Sequence, residues 1–511
     1  MYMKKHISFF IILAVVSLLT ACFSPWTGDS SITINLGRSM GRFDFEDESQ
    51  IDGFEYNITL RGPGGTVTKH VKESGPVTFQ VVPGNWTVDV RAIGDNPWID
   101  VPEIPNSIRN KERLLRALGL EANIEVKAGA NRAVPLEMNS AMEVSNWDEL
   151  YFARSQANLS GKEEIILINT SKNEIEANYP VSISINSSFD PKFLNITLMS
   201  DSDVTLKRSP ELDNSGEPVF SFPYQFFEIG QNATLTLGKP GMTGKITLDG
   251  GWDKDDPDPP KALAPLILVG NGTLVMNEGI KLINNYCESA SYPAGGVYIQ
   301  EGKFTMDGGE ISGNFSYSGG GGVRINGGTF TMKEGTINLN ETGEGGRGGG
   351  VYIENEGTFE MSGSAVIDNN KSYYGGGGGV FVEWGNVKME GNAVIKNNKA
   401  YNGNGGGVYL WGIGPTEFKM LDSSIESNEC LLSGEGGLIL LGGGVYNARG
   451  NFNMSGGSIT KNKIPEDGHG AGVCANPASK NNEAEIRSRT AGNFRGEFVD
   501  PDEQYSKYEV P

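Results

Sequence analysis

Gly349-Gly350-Val351-Tyr352-Ile353-Glu354-Asn355-Glu356-Gly357-Thr358-Phe359-Glu360-Met361-Ser362-Gly363-Ser364-Ala365-Val366-Ile367-Asp368-Asn369 is one copy of a segment that the chain repeats. Such self-similarity outranks other fold signals. A Gly-Gly-Val step recurs with its valine at Val297, Val323, Val351, Val380, Val408 and Val445, and Val473 follows an Ala-Gly step. Methionine recurs at Met276, Met306, Met332, Met361, Met389, Met420 and Met454, with an asparagine eight residues after each, from Asn284 and Asn314 through Asn340, Asn369, Asn397 and Asn428 to Asn462. Each copy divides into three alternating stretches. The first is Val-x-Ile, the second Phe-x-Met (Phe304/Met306, Phe330/Met332, Phe359/Met361). The third begins five residues after methionine, at Ile311, Ile337, Val366, Val394, Ile425 and Ile459. The Met276 copy places Lys281 there, which predicts a local register shift. Period-two alternation turns the paired apolar residues to one side, the interior. With one copy per coil, like residues pile over like at ~4.8 Å. Burying about five apolar side chains per coil contributes on the order of 10 kcal/mol before entropy, and no coil keeps that alone. The glycine pairs are expected to supply positive φ at a corner. Asparagine is expected to tolerate left-handed backbone and to stack its amides in a ladder, and methionine to fill an irregular core.

This repeat resembles the right-handed parallel β-helix of bacterial surface proteins, in particular glycine-rich lipoproteins of spirochaetes. More distantly it is similar to the Gly-Gly-Ala-Ile repeats of chlamydial polymorphic membrane proteins. The match is strong from Leu266 to Cys474. It extends weakly back to Val144 through Val181-x-Ile183-x-Ile185, Ile196-x-Leu198, Leu235-x-Leu237 and Ile246-x-Leu248, so a β-helix with three strands per coil is expected over 144–478. Ser145-Asn146-Trp147-Asp148-Glu149-Leu150 reads as a capped helix with Ser145 at the N-cap. It would cover the first coil and block edge pairing. A polar tail is expected over 479–511.

Upstream, residues 31–140 show short alternating strands around Ile32/Ile34/Leu36, Ile58/Leu60, Phe79/Val81, Trp86/Val88/Val90, Ile124/Val126 and Val134/Leu136. That pattern predicts a small antiparallel β-sandwich. Pro83-Gly84-Asn85 reads as a hairpin turn and Ala128-Gly129-Ala130-Asn131 as a second turn. Val81 to Val88 resembles the hairpin of prealbumin-like and carboxypeptidase-regulatory-like modules, which act as spacers or docking units. Asn110 to Leu118 is read as a helix with Leu114, Leu115 and Leu118 on one face.

The N-terminus predicts export. Lys4 and Lys5 precede an apolar run, Ile7 to Leu19, too short to span a bilayer. Leu19-Thr20-Ala21-Cys22 resembles the lipobox of bacterial lipoproteins, which implies a signal peptide over 1–21, diacylglycerol on Cys22 with further acylation such as palmitate, and a tether over 22–30. Several acyl chains anchor a protein stably, so the expected location is the cell envelope, at the outer membrane or cell surface. Losing Lys4 and Lys5 moves the formal charge from −21 to 40 − 63 = −23, which disfavours nucleic acid as a partner. Beyond Cys22, the cysteines Cys287, Cys430 and Cys474 are odd in number and show no CxxC spacing. They predict buried thiols rather than a zinc site or a disulfide framework. Once His6 leaves with the signal, only His70 and His469 remain, which argues against histidine-based catalysis or metal binding.

β-Helices also carry polysaccharide lyases and related hydrolases, and the outward Arg324, Glu360, Glu383, Lys388 and Lys419 are the candidates for such chemistry here, although Glu360 and Lys388 read as a surface ion pair. The acidic run Asp253 to Asp258 lacks the length and terminal glutamate of an EF-hand and reads as a solvated loop. Between the inward residues of the first strand stand Tyr298, Arg324, Tyr352, Phe381, Tyr409 and Tyr446, with Trp384 and Trp411 nearby. Stacked, Tyr298, Tyr352, Phe381, Tyr409 and Tyr446 would form an external aromatic stripe. That stripe serves either as a sugar- or protein-binding surface or as simple coil-to-coil stacking. The expected function is a monomeric, lipid-anchored surface protein presenting a rigid β-helix for binding or adhesion to a glycan or protein, without cofactor, metal or catalysis. The alternative is a polysaccharide lyase or glycoside hydrolase, which would bring two carboxylates and a basic residue together.

Overall fold

The computed structural model describes residues 30–36 and 53–475, except 100, 103, 158–159, 178, 184–192, 209–210, 213–217, 220, 223, 256–260, 290, 292, 434–438, 467 and 469, together with the short strands Glu485–Ser488, Asn493–Phe494 and Phe498–Val499. Strands dominate, and the chain divides into two compact units: Met1–Asp95 with Leu115–Asn139, and Asn96–Leu114 with Ser140–Pro511.

The first unit is the expected sandwich. Ser31–Leu36 pairs antiparallel with Gly75–Gln80 and parallel with Asn131–Val134. Glu55–Gly62 lies between Gly65–Val71 and Gly84–Asp95, antiparallel to both. The inward residues read from the alternation, among them Ile32, Ile34, Ile58, Leu60, Trp86 and Val88, form one buried cluster. Two readings need correction. Pro83-Gly84-Asn85 is no hairpin turn, because the strands on either side pair in different sheets. The segment crosses between them, with the Trp86 indole donating to Val82 O at 2.9 Å. Gly84 has φ 137°, and a Cβ there would lie 2.6 Å from the Pro63 ring. The second correction concerns Asn110 to Leu118. Only Asn106–Arg109 is helical, and Arg113–Val126 is a strand. Burial of Ala117, Ile124 and Val126 in the sandwich core outweighs the helix preference of the leucines.

The second unit is a parallel β-helix. Its first sheet stacks Val181–Ile183, Phe227–Ile229, Ile267–Val269 and then every Val-x-Ile segment to Val473–Ala475 in unbroken register. In the second sheet Leu198, Leu237 and Met276 stack below Met306, Met332, Met361, Met389, Met420 and Met454. The weak upstream matches are therefore true coils. All these methionines are buried, in one continuous core with the valines and isoleucines. Phe304, Phe330 and Phe359 form a face-to-face column within it, with centroids 4.6 and 5.0 Å apart. Parallel pairing continues beyond residue 478 through Glu485–Ser488, Asn493–Phe494 and Phe498–Val499, into the stretch read as a polar tail.

The third strand corrects the sequence reading. Its buried residue is Leu282, Ile311, Ile337, Ile367, Ile395, Ile425 or Ile459, so Val366 and Val394 are not the inward residues. In the Met276, Met361 and Met389 copies the corner after methionine is one residue longer. There Ile280, Ala365 and Ala393 fill the space that Gly309, Gly335, Ser423 and Gly457 leave small in the others. The shift expected at Lys281 is thus real and recurs twice. Counted from the buried aliphatic, the next buried asparagine is always three residues on: Asn285, Asn314, Asn340, Asn370, Asn398, Asn428 and Asn462. In the longer copies Asn284, Asn369 and Asn397 instead hold the left-handed position just before it, each with φ 54°.

The ladder itself is complete. Each of these asparagines to Asn428 donates its backbone N–H to the next one's Oδ1 at 2.9–3.1 Å. From Asn314 onward each Nδ2 donates to a carbonyl of the preceding coil. The first member has no asparagine before it. Buried Arg208 takes that place, donating through Nη1 to Asn285 Oδ1 at 2.6 Å and through Nη2 to Pro265 O at 2.7 Å. Burial lowers its pKa to about 10. The glycine pairs prove to serve close approach rather than positive φ: a Cβ on Gly350 would lie 2.7 Å from Gly379 O and 3.1 Å from Asn370 Nδ2. Positive φ falls one residue earlier, as at Gly348 (64°) and Gly377 (64°).

A short fourth strand follows six of the seven ladder asparagines: Tyr286–Cys287, Phe315–Ser316, Glu341–Glu344, Lys371–Tyr373, Lys399–Tyr401 and Glu429–Leu431; after Asn462 an isolated bridge joins Glu429 and Lys463. The first coil is covered by the helix Trp147–Gln156, whose Trp147, Leu150 and Ala153 join the core. Its N-cap is Asn146 rather than Ser145, with Asn146 Oδ1 accepting from Glu149 N–H at 2.9 Å. Glu149 reaches back to accept from Ser145 N–H at 2.7 Å, so the capping box is shifted by one residue.

Candidate binding surfaces

The stripe forms, but it is closed. Tyr298, Arg324, Tyr352, Phe381, Tyr409, Tyr446 and Cys474 stack in register on the outer side of the first sheet. Yet Tyr298, Tyr352, Phe381, Tyr409 and Tyr446 are only 5, 4, 0, 6 and 5 % exposed. The glycine runs before each valine fold back over them. A Cβ on Gly319 would meet the Tyr352 ring at 2.8 Å, and one on Gly376 the Tyr409 ring at 2.6 Å. Arg347 lies over Phe381 and Trp411, at 5.2 and 5.8 Å from the ring centroids. From Tyr352 to Cys474 the expected open stripe is therefore a second, outer core, while Tyr298 packs separately with Leu268 and Ala294, and burial pushes the Tyr409 phenol above its ordinary range. The signal lay in the tracts themselves: Gly375 to Gly379 is longer than a corner requires.

At the stripe's edge the charged side chains are paired. Arg324 holds Glu354 through two hydrogen bonds of 2.8 Å and stacks on Tyr352 at 4.3 Å. Glu383 accepts from the Tyr352 hydroxyl and lies 3.6 Å from Arg347. Two carboxylates, two arginines and a phenol thus meet on neighbouring coils. On the second sheet Lys388 sits opposite Glu360 in register, but its ion pair is with Glu390 at 2.7 Å, and Lys419 pairs with Glu417 at 2.8 Å.

The accessible aromatic face lies on the fourth sheet, which the sequence reading missed. Its signal was a recurring charged–small–aromatic or apolar triplet, Lys371-Ser372-Tyr373, Lys399-Ala400-Tyr401 and Glu429-Cys430-Leu431. The small middle residues point inward, which places Cys287 and Cys430. Outside, Tyr286 and Phe315 stack at 4.4 Å, with Trp252 within 5.4 and 5.6 Å of them. Tyr373 and Tyr401 stack at 5.0 Å. Glu341 and Lys371 continue the Tyr286–Phe315 column, with Lys371 Nζ donating to Glu341 Oε1 at 2.5 Å. Trp252, Asn284, Glu341, Lys371, Lys254 and Asp249 border a groove of about 550 Å³.

Cys22 lies outside the described residues, as do His469 and the Asp256–Asp258 part of the acidic loop. Among the described residues no cluster of His, Cys, Asp and Glu is arranged to hold a metal. His70 is a sandwich residue, hydrogen-bonded to Asn57 at 2.8 Å. Cys287, Cys430 and Cys474 are buried. Burial pushes the Cys430 thiol up to about 12 and the Cys474 thiol to about 11. Both therefore remain protonated at neutral and mildly alkaline pH, whereas unfolding would return them to the ordinary range of about 8.5. Iodoacetamide at about pH 8 is expected to leave both unlabelled in the folded chain and to label them in denaturant, as read by mass spectrometry.

Residues 271–453 match the family model described as Right handed beta helix region. The β-helix is right-handed. No curated protein and no solved structure matches the chain.

Proposed function

We propose that this chain is a lipid-anchored envelope protein that holds a rigid β-helix out as a binding or adhesion surface for a glycan or a surface protein, without chemistry of its own. The observation that carries this reading is the register. Stacking turns single outward residues into fixed columns, as in the Tyr286–Phe315 and Tyr373–Tyr401 stacks and the Glu341–Lys371 pair that continues the first of them. A preorganised face of this kind loses little freedom on binding. Anchoring rests on Leu19-Thr20-Ala21-Cys22. In a bacterial host, Cys22→Ala is expected to abolish incorporation of labelled palmitate and to move the chain from the membrane to the soluble fraction. Label retained on the variant would overturn the anchor. Binding is tested by presenting the full chain to arrayed glycans and purified extracellular-matrix proteins. Silence on both would overturn the binding role.

A second reading, polysaccharide cleavage, is favoured by the meeting of Tyr352, Glu383, Arg347, Arg324 and Glu354. Release of reducing ends or unsaturated uronides from polysaccharides, lost in Glu383→Gln, would establish it in place of the first.

A further inference from the structure

We infer that the groove beside Trp252 is a subsite for a neutral saccharide. This deepens the binding reading above and rests on it. A sugar ring offers a C–H face and a rim of hydroxyls, so it needs a fixed aromatic plane bordered by both donors and acceptors.

The groove supplies each. Trp252 N–H donates to Asn284 O at 2.7 Å, which ties the residue to the left-handed corner at Asn284. Its ring leans on Tyr286 and Phe315 at interplanar angles of 59° and 57°. Those two rings are parallel within 4°, so the indole is braced by a rigid stack while it borders the groove. Next to Phe315 in register, Glu341 Oε1 accepts from Lys371 at 2.5 Å and lies 3.8 Å from Lys254 Nζ. Donors and an acceptor are thereby held together at one spot. The volume of about 550 Å³ falls within the ~300–1,000 Å³ of small-ligand sites.

Charge selects among sugars. The lining cations Lys207, Lys254 and Lys371 are matched by Asp249, Asp253 and Glu341, so the site gives no net attraction to an acidic polymer. The chain as a whole, at −21, repels one. The geometry therefore points to a neutral glycan rather than a polyuronate. The concavity fits one or two rings better than a flat protein epitope.

Isothermal titration of the full chain with chito- and cello-oligosaccharides, and with oligogalacturonate as the acidic control, tests this. Neutral oligomers are expected to bind, with oligogalacturonate weaker by about tenfold or more. Trp252→Ala should weaken binding by about tenfold, and Trp252→Phe, which keeps a ring, by no more than about threefold. If Trp252→Ala lowers the melting temperature, Glu341→Gln serves instead and should weaken binding by about fivefold. Neutral binding that survives Trp252→Ala, or Glu341→Gln where that variant stands in, would remove the site and leave the binding role intact. Binding confined to arrayed matrix proteins or to oligogalacturonate would do the same. Binding to nothing on either array would defeat both.

Discussion

Asn340→Leu is expected to destabilise the β-helix by about 3–6 kcal/mol, seen as a lower denaturation midpoint and as lost amide protection in the coils on either side. The side chain is fully buried. Its Oδ1 accepts from Asn314 N–H at 3.0 Å and Asn314 Nδ2 at 3.1 Å. Its Nδ2 donates to Ile311 O at 3.0 Å and Asn370 Oδ1 at 2.9 Å. Leucine matches the volume and supplies none of these partners, so polar groups on two adjacent coils are left buried and unmet. Each such group costs about 1–3 kcal/mol, and a ladder interrupted in the middle is worse than one ended at a stop such as Arg208. A surface asparagine offers the contrast: Asn386→Leu, at an exposed site, should change stability by less than about 0.5 kcal/mol.

Phe330→Ala is expected to cost about 3–5 kcal/mol, measured by the same denaturation. Phe330 is sandwiched between Phe304 and Phe359, at 4.6 and 5.0 Å. Its removal leaves a void that hydrogen-bonded coils above and below cannot close. The column ends naturally at Val387, which follows Phe359 in register. Phe330→Val should therefore be tolerated better than alanine. Equal costs would mean that the phenylalanines do not stack as described.

How much of this was legible follows from what a repeat can and cannot encode. Alternation with recurring Val, Phe and Met gave the inward faces of two sheets, because inward side chains obey one rule in every coil. The third strand was read one residue off at Val366 and Val394. An extra residue in a corner leaves the local pattern intact while shifting everything after it, and Asn369-Asn370 and Asn397-Asn398 each offer two candidates for one ladder position. The fourth strand is two to four residues long, with inward positions filled by Cys287, Ser316, Thr342, Ser372, Ala400 and Cys430, so it carries almost no hydrophobic signal. The outer stripe was read in its membership but not in its burial. What covers it is glycine backbone, which leaves no side-chain trace of its contacts. The Trp252 groove joins residues from separate coils, and local sequence cannot bring those together.

The central claim is that each copy is one coil, stacked directly on the next. Spin labels at Thr273, Lys303, Thr329 and Thr358, each paired with one at Asn451, test it by pulsed dipolar spectroscopy. These positions occupy successive places in one column of the second sheet. Six, five, four and three coil steps of ~4.8 Å predict separations of about 29, 24, 19 and 14 Å, before label length. A constant decrement per repeat is the expected result. Separations that bear no linear relation to repeat number would contradict the stacked-coil fold and, with it, the surfaces built on it.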